Sequence, residues 1–149
     1  MLDRRKINVR FFECFPTETP YALAKKFGVH TSAAYRWKDG ENPVPWHCLK
    51  RLVDEQPIRW DWLIDGTEPK QRTQCKDEIL EPLNRHAINQ RFLSLFPGMS
   101  QARIGRELGG INPGTVYKWR KDMAQVPWER LKYAVDNKGV TWEWLIEGR

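Results

Sequence analysis

The sequence predicts an all-α protein in which one five-helix unit occurs twice. Apolar residues recur at helical spacing between prolines and glycines, and no window shows the sustained apolar–polar alternation that a strand requires. The eight tryptophans fall into two sets of four, and each member of the second set follows its counterpart by 82 residues. A fixed period of this kind indicates an internal duplication. The pairs are Trp37 and Trp119, Trp46 and Trp128, Trp60 and Trp142, and Trp62 and Trp144.

Neighbouring motifs repeat with the tryptophans and set the predicted boundaries. We expect a first domain at residues 1–66, a linker at 67–84 and a second domain at 85–149. A flexible linker of this length averages about 24 Å from end to end and reaches roughly 60 Å when extended. The alternative is a short helix at residues 77–80 that packs the domains together and fixes their spacing. The repeated motifs are Ile-Asn-x-Arg-Phe at 7–11 and 88–92, Val-Pro-Trp at 44–46 and 126–128, and Trp-x-Trp-Leu-Ile-x-Gly at 60–66 and 142–148.

The first three helices of the unit have clear local signals in the first copy. The first helix carries three phenylalanines and an isoleucine on one face, and Pro16 ends it. The second opens at Thr19, an N-cap residue followed by proline, and stops at Gly28, which permits a left-handed turn. The third begins near Thr31 and ends around residues 39–40.

The last two helices and the tryptophans complete the predicted core. A fourth helix starts at Pro43 and Pro45 and ends at Pro57, and a fifth surrounds residues 60–64 before Gly66. Units of this size bury proportionally little surface, so the tryptophans are expected to supply core area. Their agreement between repeats favours this interpretation over base-stacking platforms for single-stranded nucleic acid.

The charge of the chain is positive and unevenly distributed. The formal net charge is +6 and the isoelectric point is near 9.4. Residues 1–66 carry 11 Lys or Arg against 9 Asp or Glu, a net +2, whereas residues 88–149 carry 10 against 6, a net +4. Such a balance suits a polyanionic partner, although many basic proteins have none.

Several other classes of protein are disfavoured. The three cysteines form no disulfide framework, and the three histidines do not join them at zinc-ligand spacings. The polar residues form no acid–base or nucleophile constellation, so we expect neither an enzyme nor a cofactor. No apolar segment is long enough to span a bilayer or to act as a signal peptide. We therefore expect a cytoplasmic protein with reduced thiols and no membrane partner.

The second and third helices of each copy fit a helix-turn-helix pattern. In the first copy Val29, Ala34 and Trp37 are expected to face inward, which leaves residues 31–33, 35 and 36 toward solvent. In the second copy the turn holds one extra residue, Gly110. An ordinary helical hairpin, in which Ser and Thr serve only as caps, is the alternative. The positive charge and the duplication favour DNA binding.

These motifs resemble the DNA-binding domain of lambda-type phage repressors, across both repeats except the linker. The resemblance implies a five-helix domain whose third helix reads the major groove, and it implies that each copy has its own reading helix. Pro20 departs from the glutamine that this family often has at the start of the second helix, whereas Gln101 fits it. The implied DNA-binding residues are Thr31, Ser32, Ala33, Tyr35, Arg36 and Lys38 in the first copy and Gln101, Pro113, Gly114, Thr115, Tyr117, Lys118 and Arg120 in the second.

Two functional hypotheses follow. The first is a sequence-specific regulator of transcription that binds double-stranded DNA, of the repressor type found in phages and mobile elements. Covalent duplication would then replace dimerisation, and the differing reading residues predict an asymmetric bipartite site. The second is a protein-interaction adaptor, in which one or both copies bind a regulatory protein instead of DNA. A homodimer is compatible with either hypothesis.

Overall fold

The computed structural model describes residues 2–71 and 83–149, and in that part of the chain the regular structure is helical apart from one isolated antiparallel bridge. The all-α prediction is therefore confirmed. The chain divides into two compact units, one within residues 3–80 and the other within residues 81–149 together with residues 1–2. We call them the first and the second unit. Residues 72–82, most of the predicted linker, lie outside the described residues.

Five helices lie in the described part of each unit. The first unit contains α1 (Arg4–Glu13), α2 (Pro20–Phe27), α3 (Thr31–Lys38), α4 (Trp46–Glu55) and α5 (Trp60–Asp65). The second unit contains α6 (Arg85–Ser94), α7 (Gln101–Glu107), α8 (Pro113–Arg120), α9 (Trp128–Lys138) and α10 (Trp142–Glu147). No helix among the described residues combines the length and the apolar character that crossing a bilayer demands.

An aromatic cluster forms the centre of the first unit. Phe11 of α1 is fully buried, and its ring centroid lies 5.4 Å from that of Phe27 and 5.3 Å from that of Phe15. Trp37 of α3 meets the same ring edge-on at 6.3 Å. A contact between two aromatic rings stabilises the fold by ~0.5–1.5 kcal/mol beyond the burial of their surface area. The cluster therefore fixes α3 against α1 and α2.

The second unit repeats this arrangement with fewer aromatic residues. Phe92 of α6 is fully buried and meets Trp119 of α8 edge-on at 6.0 Å and Phe96 at 5.4 Å. Leu108 stands at the position of Phe27 and is also buried. The same inward face of the third helix is thus held in both units.

Six of the eight tryptophans are buried, as predicted. Trp60 and Trp142 are fully buried, and each lies beside the tryptophan that opens the preceding helix, with centroid distances of 6.4 Å to Trp46 and 5.9 Å to Trp128. Trp46 and Trp144 are buried to a lesser extent and keep part of their surface exposed. The core interpretation therefore applies fully to Trp37, Trp60, Trp62, Trp119, Trp128 and Trp142.

A buried asparagine ties the first helix of each unit to the end of the third. The Asn8 amide nitrogen donates to the carbonyl oxygens of Trp37 and Asn42, both at 2.8 Å, and its oxygen accepts from the Val44 N–H at 3.0 Å. In the second unit Asn89 accepts from the Val126 N–H at 3.0 Å and donates to the Ala124 carbonyl oxygen at 2.9 Å. The repeated asparagine thus satisfies backbone groups that burial would otherwise leave unpaired.

A repeated arginine closes the last helix. The Arg10 guanidinium donates to the carbonyl oxygens of Ile64 at 2.7 Å and Leu63 at 3.3 Å. Gly66, at φ 79°, leaves room for it: a Cβ there would lie 2.6 Å from the guanidinium. The second unit repeats every part of this contact with Arg91, Leu145, Ile146 and Gly148. The Ile-Asn-x-Arg-Phe motif is therefore structural.

The chain after α5 folds back on the first unit. The Arg59 N–H donates to the Lys70 carbonyl oxygen at 3.0 Å, and Ile58 pairs with Gln71 in the isolated bridge. The Lys70 ammonium lies 4.4 Å from the ring centroid of Trp62, a cation–π contact. Residues 67–71, predicted as the start of the linker, thus belong to the first unit.

Candidate nucleic-acid interface

The turn between α2 and α3 has the geometry that the sequence predicts. Thr19 caps α2 by accepting a hydrogen bond from the Ala22 N–H at 3.2 Å, and Gly28 ends it in the left-handed region at φ 68°. The Val29 N–H then donates to the Ala24 carbonyl oxygen at 2.9 Å. This bond closes the end of α2 and sets the direction in which α3 begins.

α3 has a buried face and an exposed face. Ala34 and Trp37 are buried against the aromatic cluster, as predicted, whereas Val29, predicted to face inward, is half-buried. Tyr35 keeps 48% of its surface exposed, and Arg36 lies beside it. Among the predicted site residues of this helix, Ser32, Tyr35, Arg36 and Lys38 are exposed, and Thr31 and Ala33 are half-buried.

His30 caps the N-terminus of α3, a role that the sequence did not predict. Its Nδ1 accepts a hydrogen bond from the Ser32 N–H at 3.3 Å and lies 2.7 Å from the Ser32 hydroxyl oxygen. It therefore caps α3, a role more typical of Ser, Thr, Asp or Asn. The counterpart Asn112 caps α8 through the Gly114 N–H at 2.7 Å, and recognising this pair in the two repeats could have revealed the role of His30.

Gly110, the extra residue in the second turn, is accommodated without loss of the anchoring hydrogen bond. The Ile111 N–H donates to the Gly105 carbonyl oxygen at 2.8 Å, and Gly105 stands where Ala24 stands in the first unit. Gly109 and Gly110 both adopt left-handed backbone, at φ 87° and 86°. The insertion therefore occupies a loop, and α8 starts from the same anchor as α3.

α8 presents its exposed residues in the same pattern as α3. Val116 and Trp119 are buried, and Tyr117 keeps 44% of its surface exposed, close to the value for its counterpart Tyr35. Arg120 is anchored, because its guanidinium donates to the Met99 carbonyl oxygen at 2.9 Å. Of the other predicted residues in this unit, Pro113, Gly114 and Lys118 are exposed and Gln101 and Thr115 are half-buried.

The cysteines of the first unit are poor nucleophiles. Burial raises the pKa of the Cys14 thiol and that of the Cys48 thiol, each to about 11. The thiolate is the reactive form, so neutral pH leaves both thiols protonated. In residues 2–71 and 83–149 no cluster of three His, Cys, Asp or Glu side chains that could hold a metal ion occurs. Cys75 lies outside the described residues.

Comparisons with protein-family models, with curated protein sequences and with solved structures found no match for this chain. The candidate interface therefore rests on the duplicated sequence and on the geometry of the two helix pairs.

Proposed function

We propose that the chain is a sequence-specific double-stranded DNA-binding regulator of transcription. Its two units would be lambda-repressor-like helix-turn-helix domains joined in one chain, and they would read an asymmetric bipartite site. A phage or mobile-element type repressor is the class that this organisation suits best. The sequence resemblance and the positive charge support the proposal.

One observation carries it. In each unit a third helix is fixed on its inner face by a buried tryptophan and exposes a tyrosine followed by a cation on its outer face, Tyr35 and Arg36 in one and Tyr117 and Lys118 in the other. An α-helix fits the major groove of B-DNA, where tyrosine and arginine can contact base edges and phosphates. Surface pairs kept in both repeats have no role in the core, which favours a shared ligand.

The test measures duplex binding over a salt series. Phosphate neutralisation gives a linear fall of log K with log salt, with a slope of about −0.9 per phosphate. Arg36→Ala and Lys118→Ala should each weaken binding, and for a phosphate contact the slope should become shallower by about one. Thermal unfolding should not change, because both side chains are exposed.

Lys6→Ala is the matched control. Lys6 is an exposed cation of α1 and pairs only loosely with Asp3, at 3.6 Å. Its removal changes the net charge by the same amount as the other two substitutions, so it reports the general effect of charge. Equal losses from all three variants, or binding that does not depend on salt, would contradict the proposal and favour a protein partner.

A further inference from the structure

The two candidate reading helices carry different chemistry at their first turns. α3 begins with Thr31 and Ser32, whereas α8 begins with Pro113 and Gly114, whose side chains have no hydrogen-bonding group. Hydroxyls at this position can pair with base edges in the major groove. The first turn of α8 keeps one hydroxyl, that of half-buried Thr115 at the position of Ala33, so it offers fewer groups for distinguishing bases than the first turn of α3.

The cations that follow also differ in kind. Arg36 has a planar guanidinium that can pair with guanine through two parallel hydrogen bonds. Its counterpart Lys118 is a point charge on a flexible stem, which suits phosphate better than a particular base. The arginine of α8, Arg120, already donates to the Met99 carbonyl oxygen. Direct readout is therefore concentrated on α3.

Exposed positive charge, in contrast, is concentrated on the helix pair of the second unit, α7 and α8. α7, α8 and Lys121 together expose five cations. The one acid of this segment, Glu107, pairs with Lys138, and Asp122, which follows the segment, lies 3.5 Å from Arg85 and accepts from Asn89. The five exposed cations are Arg103, Arg106, Lys118, Arg120 and Lys121.

In the first unit acids offset the corresponding cations. Asp39 and Glu41 are exposed after α3, and Glu41 lies 4.0 Å from the Arg36 guanidinium. Lys26 is held by two ion pairs, at 3.9 Å to Glu18 and 3.8 Å to Glu55. The exposed cations that remain in the matching segment are Lys25, Arg36 and Lys38.

We propose that the two units divide the work on DNA: the first unit reads the base sequence, and the second unit binds the phosphate backbone with little base preference. This inference rests on the proposed function and assigns a separate role to each half of the chain. The asymmetric bipartite site would then consist of a half-site of defined sequence, contacted by the first unit, beside a half-site of nearly random sequence, contacted by the second unit. The second unit would contribute most of the salt dependence.

Selection of bound duplexes from a random library, with the full chain, tests the division. One conserved half-site is the expected result. Arg36→Lys keeps the charge and should relax the preference at one base pair roughly 5- to 150-fold, because it removes a bidentate contact. Lys118→Arg, its counterpart, should leave the selected sequence unchanged.

Positions 39 and 121 provide the matched test of charge, since Asp39 and Lys121 are counterparts and both are exposed. Lys121→Asp should weaken binding several-fold and reduce the magnitude of the salt slope by about one, without altering the selected sequence. Asp39→Lys should strengthen binding and steepen the slope. Neither change touches the core, so the thermal transitions should stay in place.

Two results would overturn the division of roles while leaving DNA binding intact. They are two equally informative half-sites in the selected duplexes, and a change of base preference from Lys118→Arg as large as that from Arg36→Lys. A chain that shows no salt-dependent binding to any duplex would instead overturn the proposed function itself, and the division with it.

Discussion

The carbonyl oxygen of Ile111 lies 2.2 Å from the position that a Cβ on Gly105 would occupy. No real side chain fits in that space, so the second unit requires glycine where the first unit has Ala24. The extra residue Gly110 is the local difference between the two turns. We infer that the insertion and the glycine at position 105 depend on each other, since the longer loop directs the Ile111 carbonyl group toward α7.

Gly105→Ala should therefore destabilise the second unit although alanine is the better helix former. Overpacking of this kind typically costs ~1–3 kcal/mol, which corresponds to a fall of roughly 4–24 °C in the melting temperature of a small domain. Unit-resolved thermal unfolding, followed through tryptophan indole NMR signals, would measure it. Ala24→Gly in the first unit is the matched control and should cost only ~1 kcal/mol.

Deletion of Gly110 should make alanine acceptable at position 105. A double-mutant cycle measures the coupling between the two sites. If Gly105→Ala costs as much without Gly110 as with it, the coupling inferred from the turn geometry is wrong.

Asn8→Ala should destabilise the first unit by about 1–3 kcal/mol. The substitution leaves the buried Val44 N–H without its partner, whereas the Trp37 carbonyl oxygen keeps its bond from the Gly40 N–H and Asn42 is exposed. Asn89→Ala should do the same to the second unit. Asn137→Ala, which removes an exposed hydrogen bond to the Tyr133 carbonyl oxygen, is the control. Similar urea midpoints for Asn8→Ala and Asn137→Ala would disprove the buried role.

The first unit should lose stability between about pH 9 and pH 11. Burial raises the pKa of Cys14 and of Cys48 to about 11, from 9.0. A thiol whose folded pKa is raised contributes its full stabilisation below the unfolded pKa and loses that stabilisation as the pH rises through the folded pKa. Urea unfolding at pH 8 and pH 11, with Cys48→Ala for comparison, measures this.

The second unit supplies the internal control for this pH dependence. The counterparts of the two cysteines are Leu95 and Arg130, so its described part contains no thiol. Its urea midpoint should change less over the same range. Parallel losses in both units, or an unaltered loss in Cys48→Ala, would contradict the assignment to buried thiols.

The helices could be predicted from local signals in the sequence, whereas the hydrogen bonds between distant residues could not. Thr19 caps the start of α2 and Gly28 ends it, both through contacts within a few residues, and such contacts can be recognised from the sequence. Arg10 instead bonds carbonyl groups 53 and 54 residues away, and Asn8 bonds backbone 29 to 36 residues away. Both residues belong to a motif that occurs in the two repeats, so the sequence marked them as shared. Their hydrogen-bond partners depend on how the helices pack, which the spacing of residues along the chain does not specify.

In the candidate interface, too, local features could be predicted and contacts between separate elements could not. The exposure of Tyr35 and Tyr117 follows from the helical period once Trp37 and Trp119 are placed inward. The engagement of Arg120 with the Met99 carbonyl oxygen and the pairing of Glu107 with Lys138 join separate elements. Charge counts along the sequence therefore do not give the numbers of exposed cations in the two helix-turn-helix segments, three in the first unit and five in the second.

Both units should contribute to affinity in the intact chain. Once one unit is bound, the linker holds the other near the DNA at an effective concentration that can reach millimolar, so the pair can exceed a single unit by ~10²–10⁴-fold. Lys118→Glu combined with Lys121→Glu reverses two exposed charges and should remove the contribution of the second unit without unfolding it. Fluorescence anisotropy with the selected duplex, at fixed salt, should then show a loss of at least tenfold.

Duplex length separates this linkage from a general effect of charge. On a duplex cut back to the half-site of the first unit, the second unit has no backbone to bind, so the unmodified chain and the doubly substituted chain should bind with nearly equal affinity. The advantage of the unmodified chain should return when flanking base pairs are restored. Equal affinities on the long duplex would mean that the second unit does not touch DNA, and that copy would then be the better candidate for binding a regulatory protein.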